Sequence, residues 1–138
     1  MRKDQKLTMK NDKGQNLLHI FVINQVSQAL EWSMIDGLVG QLVARGIDVY
    51  AKDNEERTVL HYACLYQNLT LVKYFLLKYS KFNVNEPDSH GISPFFTFFQ
   101  SLLPSKFMFN EMFLFLLKQG ADLKSCYPFK ELCVTKAG

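Results

Sequence analysis

Residues 56–63 read Glu-Arg-Thr-Val-Leu-His-Tyr-Ala, and two related phrases flank them in the 138-residue chain. Residues 14–21 read Gly-Gln-Asn-Leu-Leu-His-Ile-Phe, and residues 91–98 read Gly-Ile-Ser-Pro-Phe-Phe-Thr-Phe. Each phrase precedes a short run that reads Gly-Ile-Asp-Val, Lys-Phe-Asn-Val or Gly-Ala-Asp-Leu, at 46–49, 81–84 and 120–123. A unit that recurs in this way predicts a repeat architecture, in which function depends on a surface more than on one residue.

The residues around each phrase predict a pair of helices. Thr58 and Ser93 are well suited to cap a first helix, and Pro94 follows at the first helical position. A second helix is indicated by apolar residues at helical spacing: Leu38, Val39, Leu42 and Val43, then Leu71, Val72, Phe75 and Leu76. Gly46 and Gly120 stand where a helix ends in a left-handed residue, whereas Lys81 at that position predicts a distorted end. One helix pair cannot bury its apolar face alone, so neighbouring pairs must stack.

The three phrases resemble the ankyrin repeat, whose signature is Thr-Pro-Leu-His-x-Ala with a period of about 33 residues. The middle phrase matches best, with Thr58, Leu60, His61 and Ala63 in the expected positions, while Phe96 replaces the histidine of the third. The resemblance covers about residues 10–124. It implies an all-α solenoid of stacked antiparallel helix pairs with short β-turn fingers. We expect one domain, 1–138, with repeats at about 11–52, 53–87 and 88–124 and an irregular tail or cap at 125–138.

Composition favours a folded domain inside the cell. Hydrophobic residues make up 48% and charged residues 21% of the chain, which argues against disorder. The net charge of +3 is small and dispersed, so no nucleic-acid partner is expected. The apolar stretch 95–117 is interrupted by polar residues and Pro104, which argues against membrane insertion. The odd number of cysteines and the charged N-terminus without an apolar core favour an intracellular, cytoplasmic location.

No residue pattern indicates catalysis, a metal or a cofactor. His19 and His61 recur at one position of the repeat, and the resemblance implies that they tie finger to helix by hydrogen bonds. Cys126 and Cys133 have no nearby histidine or Cys-x2-Cys partner, so a zinc site is not expected. Cys64 falls at a small, buried position of a first helix, which predicts an unreactive core residue.

The resemblance implies a non-enzymatic module that binds a protein partner through the concave face, made by the finger tips and the first helices. Leu65 and Tyr66 occupy the exposed helix positions of the middle repeat, and His90 is expected to be exposed at a finger tip. The predicted partner-binding residues are Asp12, Lys13, Gln15, Asn54, Glu55, Arg57, Leu65, Tyr66, Ser89, His90 and Ile92. The alternative is a structural spacer or docking unit of a larger multidomain protein, whose other domains cover the Phe-rich third repeat.

Several departures from the repeat pattern stay open at this point. The insertion at 24–34 predicts either extra helix, with Leu30 and Trp32 packing locally, or a loop that projects towards a partner. The phenylalanines of residues 95–115 predict either an enlarged core or an exposed apolar patch. Residues 7–10 align with the tail of a preceding repeat, so the chain is expected to start within an array. The tail from residue 125 then either caps it or leads into more of a larger protein.

Overall fold

The computed structural model describes residues 9–24, 31–100 and 111–122. These residues form six α-helices, two in each predicted repeat: α1 (Leu17–Asn24) and α2 (Trp32–Ala44), α3 (Val59–Leu65) and α4 (Leu69–Lys78), and α5 (Pro94–Gln100) and α6 (Glu111–Lys118). The described ranges contain no β-strand, and their fingers are built from turns. Within the same ranges no helix is long and apolar enough to cross a membrane.

The helices form two rows. α3 packs against α1 on one side and α5 on the other, so the first helices of the three pairs form one row. α2 packs against α4, and an ion pair between Lys73 Nζ and Glu111 Oε2, 3.3 Å apart, continues the second row from α4 to α6. The core between them includes the fully buried side chains of Leu18, Leu60 and Phe95. The fingers therefore project from the N-terminal ends of the first row.

The helix ends follow from local sequence. The Thr58 N–H donates to His61 Nδ1 at 3.1 Å within a capping box, and the Phe96 N–H donates to Ser93 Oγ at 3.0 Å. Gly46 adopts a left-handed φ of 103°, as expected for a residue that ends a helix. α4 ends differently, because Tyr79 after its last turn has an extended conformation with φ −118°. The distorted end that was predicted near Lys81 is therefore present.

The phenylalanines of the third repeat that the structure describes are buried or half-buried. Phe95, Phe98 and Phe99 of α5 are buried, and the Phe95 ring stacks on Phe113 of α6 with a centroid distance of 6.0 Å. Of the two alternatives, an enlarged core or an exposed apolar patch, these described phenylalanines form the enlarged core. Phe107, Phe109, Pro104 and the tail 125–138 lie outside the described residues.

Part of the insertion lengthens α2. Residues 31–34 cap and begin this helix, whereas residues 25–30 lie outside the described ranges. The extra-helix alternative had Trp32 packing locally, but its ring lies edge-on to Tyr74 of α4 at a centroid distance of 5.1 Å. The extra turn therefore lets α2 reach the outer helix of the next repeat.

Candidate partner-binding surface

One side-chain oxygen organises each finger. In the three fingers Asn11, Asp53 and Asp88 use one oxygen to accept the backbone N–H groups two and four residues later, at 2.8–3.0 Å. A short polar side chain that bonds the backbone ahead of it is a known way to form a tight turn. The sequence marks these positions, because each acceptor stands three residues before the first residue of a repeated phrase.

Hydrogen bonds also join each finger to the next. Asn54 donates its backbone N–H to the Lys13 carbonyl and its side-chain N–H to the Asp12 carbonyl, both at 2.9 Å. The Ser89 N–H donates to the Glu55 carbonyl, also at 2.9 Å. The predicted finger residues of all three repeats therefore lie in one connected row.

A glycine makes the first of these finger contacts possible. Gly14 has φ +76°, a conformation that L side chains rarely adopt. A Cβ atom added there would lie 2.3 Å from Asn54 Oδ1 and 2.8 Å from the Asn54 backbone nitrogen. Only a residue without a side chain allows the two fingers to approach this closely.

The two buried histidines link a helix to the finger of the following repeat. His19 Nε2 lies 3.0 Å from the Arg57 carbonyl, and His61 Nε2 lies 3.2 Å from the Ile92 carbonyl. In each ring Nδ1 accepts a hydrogen bond from a backbone N–H at the start of its own helix, so the proton is on Nε2, which donates a hydrogen bond to the carbonyl. Burial lowers the pKa of both imidazoles, which favours this neutral form. Their hydrogen bonds are those that the resemblance implied.

All predicted residues of the first two repeats line one groove on the inner row of helices. The groove has a volume of about 520 Å³. Its lining residues are Asp12, Lys13, Gln15, Ile23, Asp53, Asn54, Glu55, Arg57, Tyr62, Leu65 and Tyr66. A second groove of about 310 Å³ lies towards the third repeat and is lined by Arg57, His61, Tyr62, Leu65, Ile92, Thr97 and Gln100. Ser89 and His90 are exposed on the third finger and line neither of these two grooves.

Two predicted residues are less accessible than a finger-tip role requires. Gln15 is only 9% exposed, because its side chain accepts from Asn11 Nδ2 at 2.9 Å and donates to the Tyr62 hydroxyl at 3.2 Å. Ile92 is half-buried and packs against the core. Their positions in the repeat place them correctly along the groove, but hydrogen bonding and packing turn Gln15 and Ile92 into parts of its wall.

Arg57 is also held in place. Its Nε lies 3.1 Å from Asp88 Oδ2 and its guanidinium lies 3.2 Å from Glu55 Oε1, so it connects the second and third fingers. Arg57 is half-buried between the two grooves and lines both. A partner would therefore meet an arginine whose orientation is already fixed.

Tyr62 belongs to the same wall and was missed by the sequence analysis. Its hydroxyl donates to Asp53 Oδ2 and accepts from Gln15, and the side chain lines both grooves. Burial raises the pKa of Tyr62, and the hydrogen bond to Asp53 raises it further. The residue follows His61 directly, so a search for polar side chains one position after the repeated histidine would have found it.

Other candidate chemistry is limited in the part of the chain that the structure describes. There no three His, Cys, Asp or Glu side chains are grouped as a metal site. Cys64 is fully buried and unpaired, and burial raises the pKa of its thiol, which disfavours the reactive thiolate. Cys126 and Cys133 lie outside the described residues.

Comparison with known proteins agrees with the geometry. Residues 42–95 match the family model described as ankyrin repeats (many copies). Among solved structures, the chain is similar to the ankyrin repeat domain of Bcl-3, titled a unique member of the IkappaB protein family, with a TM-score of 0.62 and 21% identity. The match covers 88% of this chain and 48% of that one, so the chain spans about half of its length. A search of curated proteins gave no match.

These matches confirm the resemblance to the ankyrin-repeat family and the fold class. The fold is that of an ankyrin-repeat solenoid built from antiparallel helix pairs. Ankyrin repeats are generally protein–protein interaction modules.

Proposed function

We propose that this chain is a non-enzymatic interaction module that binds a protein partner through the concave face, across the two neighbouring grooves. The observation that carries the proposal is Leu65, an apolar side chain that is 37% exposed and lines both grooves. An exposed apolar residue surrounded by polar groups has the composition of an interface centre and its rim.

The surroundings of Leu65 support an anchoring role. Tyr66 and Ile23 are half-buried beside it in the first groove, and Ile92 is half-buried in the second. Asp12, Lys13 and Glu55 add exposed charged groups at the finger side. Aromatic and apolar side chains in such positions commonly contribute most of the binding free energy, while rim charges contribute to orientation.

The hydrogen-bonded fingers support the same proposal. The contacts from Asn54 to the first finger and from Ser89 to Glu55 fix the polar side of the groove before a partner arrives. Binding to a preformed surface loses less conformational entropy than binding to a mobile one. We propose an intracellular, cytoplasmic setting for this activity, in keeping with the unpaired thiol of Cys64.

A retention experiment tests the proposal. The immobilised full chain, Leu65→Ser, Tyr66→Ala and the control Leu77→Ser are compared for the proteins that each retains from a cell extract. Leu77 is 58% exposed on α4 and lines neither groove. We expect a protein that the wild type and the Leu77 control retain and that both groove variants bind more weakly, by about 1 kcal/mol or more.

Thermal unfolding of the same variants separates binding from stability. The melting temperature of Leu65→Ser should stay close to that of the wild type, because its side chain is partly solvated. Retention that is unchanged in Leu65→Ser, or that falls only together with the melting temperature, would contradict the concave-face proposal.

The alternative of a spacer covered by other domains has less support. The described phenylalanines of the third repeat are buried or half-buried, and the exposed apolar residue there is Leu114.

A further inference from the structure

The first repeat exposes apolar positions that the other two repeats bury. Leu38 of α2 is 40% exposed, whereas its equivalents Leu71 and Met112 are 1% and 4% exposed. Leu17 of α1 is 42% exposed, whereas its equivalent Val59 is 1% exposed. In the second and third repeats a preceding repeat covers these positions. The same face of the first repeat is therefore built like a packing surface.

The exposed face of α2 has a composition that solvent alone does not explain. Met34 is 58% exposed one turn before Leu38. Gly37 lies in the helix interior next to Leu38, and a Cβ atom added there would meet no atom within 4 Å. Glycine destabilises a helix interior by about 1 kcal/mol relative to alanine, and no close contact inside the chain requires it here. A glycine beside exposed Leu and Met permits another backbone to approach closely.

Opposite charges stand symmetrically about this face. Glu31 precedes Leu38 by seven residues and Arg45 follows it by seven. Glu31 is the N-cap of α2 and Arg45 its C-cap, so the two charges stand at opposite ends of the helix, with their Cα atoms about 10 Å from that of Leu38 along the helix axis. Both charged residues are exposed, and within the described ranges neither forms an ion pair.

We propose that a second copy of this chain docks on this face, with the two α2 helices antiparallel and a two-fold axis at Leu38. In such an isologous contact, residue i of one copy meets residue j of the other and the reverse also holds. Leu38 then meets its own counterpart, and Glu31 of each copy faces Arg45 of the other. The arrangement buries the apolar stripe and forms the same ion pair twice.

The chain already uses this kind of contact between its own outer helices. Lys78 Nζ of α4 lies 3.3 Å from Asp36 Oδ1 of α2, and Lys73 of α4 pairs with Glu111 of α6. Cross-helix ion pairs thus link α4 to both of its neighbours in the outer row. The proposed dimer repeats that design between two copies, and it shares no residue with the two concave grooves. It therefore extends beyond the proposed function and is independent of it.

Sedimentation equilibrium of the full chain over a concentration series tests the proposal. We expect a monomer–dimer equilibrium that Leu38→Glu weakens roughly tenfold or more, since a buried, unpaired carboxylate replaces the central apolar contact. Leu77→Glu is the matched control, because Leu77 is a still more exposed leucine of α4. A wild type that stays monomeric throughout the series, or equal effects of the two substitutions, would overturn the inference.

Charge exchange tests the antiparallel geometry. Glu31→Arg and Arg45→Glu should each weaken dimerisation roughly tenfold, because each brings like charges together twice. The double variant Glu31→Arg/Arg45→Glu should restore association, since opposite charges then face each other again. If the double variant dimerises as weakly as the single variants do, the two-fold arrangement is overturned. Circular dichroism of all variants verifies that the monomer remains folded.

Discussion

Replacing Gly14 by alanine should lower the free energy of unfolding by about 2–5 kcal/mol. The backbone at Gly14 has φ +76°, and holding an alanine there costs about 1–2 kcal/mol. The new Cβ would also lie 2.3 Å from Asn54 Oδ1, so Asn54 must move. Its two 2.9 Å hydrogen bonds to the carbonyls of Asp12 and Lys13 would then be lost. Each is worth about 0.5–1.5 kcal/mol.

Urea unfolding followed by circular dichroism gives the required free energies. Gly91→Ala is the matched control, because Gly91 has φ +78° at the same position of the third finger and nothing within 4 Å of an added Cβ. It should therefore show only the backbone cost of about 1–2 kcal/mol. The difference between the two variants measures the close approach of the first and second fingers.

A double-mutant cycle identifies the collision partner. Asn54→Ala removes the side-chain atoms nearest to the new Cβ. Gly14→Ala should therefore cost less in that background than in the wild type. The reasoning is refuted if Gly14→Ala destabilises the protein no more than Gly91→Ala does.

The other predictions concern the buried residues. Burial lowers the pKa of His19 and His61, so their stabilisation is complete above the ordinary value of about 6.5 and is lost as the pH falls through the lower folded values. The free energy of unfolding should fall as the pH is lowered below about 6.5, and a constant value would contradict this. Leu60→Ala should cost about 2–5 kcal/mol in a urea titration, and the exposed Leu77→Ala less than about 0.5 kcal/mol. Cys64, tested with the other two cysteines replaced by serine, should react with a thiol reagent only after unfolding. Reaction in the native protein would refute its burial.

The sequence predicted those features that one repeat determines by itself. Thr58 and Ser93 cap helices because of their own side chains and the residues that follow them. The groove residues of the first two repeats were placed because a position within the unit fixes the face on which it lies. His61 was assigned a structural role for the same reason, and its hydrogen bonds agree.

Contacts between repeats were harder to predict. Gln15 is buried by a hydrogen bond to Tyr62 of the next repeat, and Trp32 packs on Tyr74 rather than locally. Both contacts depend on how one helix pair is offset from its neighbour, and that offset leaves no periodic signal in the chain. The wall residue Tyr62 was overlooked for this reason, although its position beside His61 was visible.

The histidine links have a direction. His19 fastens the first repeat to the second and His61 fastens the second to the third, each by holding a carbonyl of the finger that follows. At the equivalent position of the third repeat, Phe96 has a ring without an N–H to donate. A hydrogen bond from the side chain at this position to the next finger is therefore limited to the first two repeats. Local opening of the third repeat breaks the His61 hydrogen bond but leaves that of His19 in place, so amide hydrogens around α5 should exchange before those around α1.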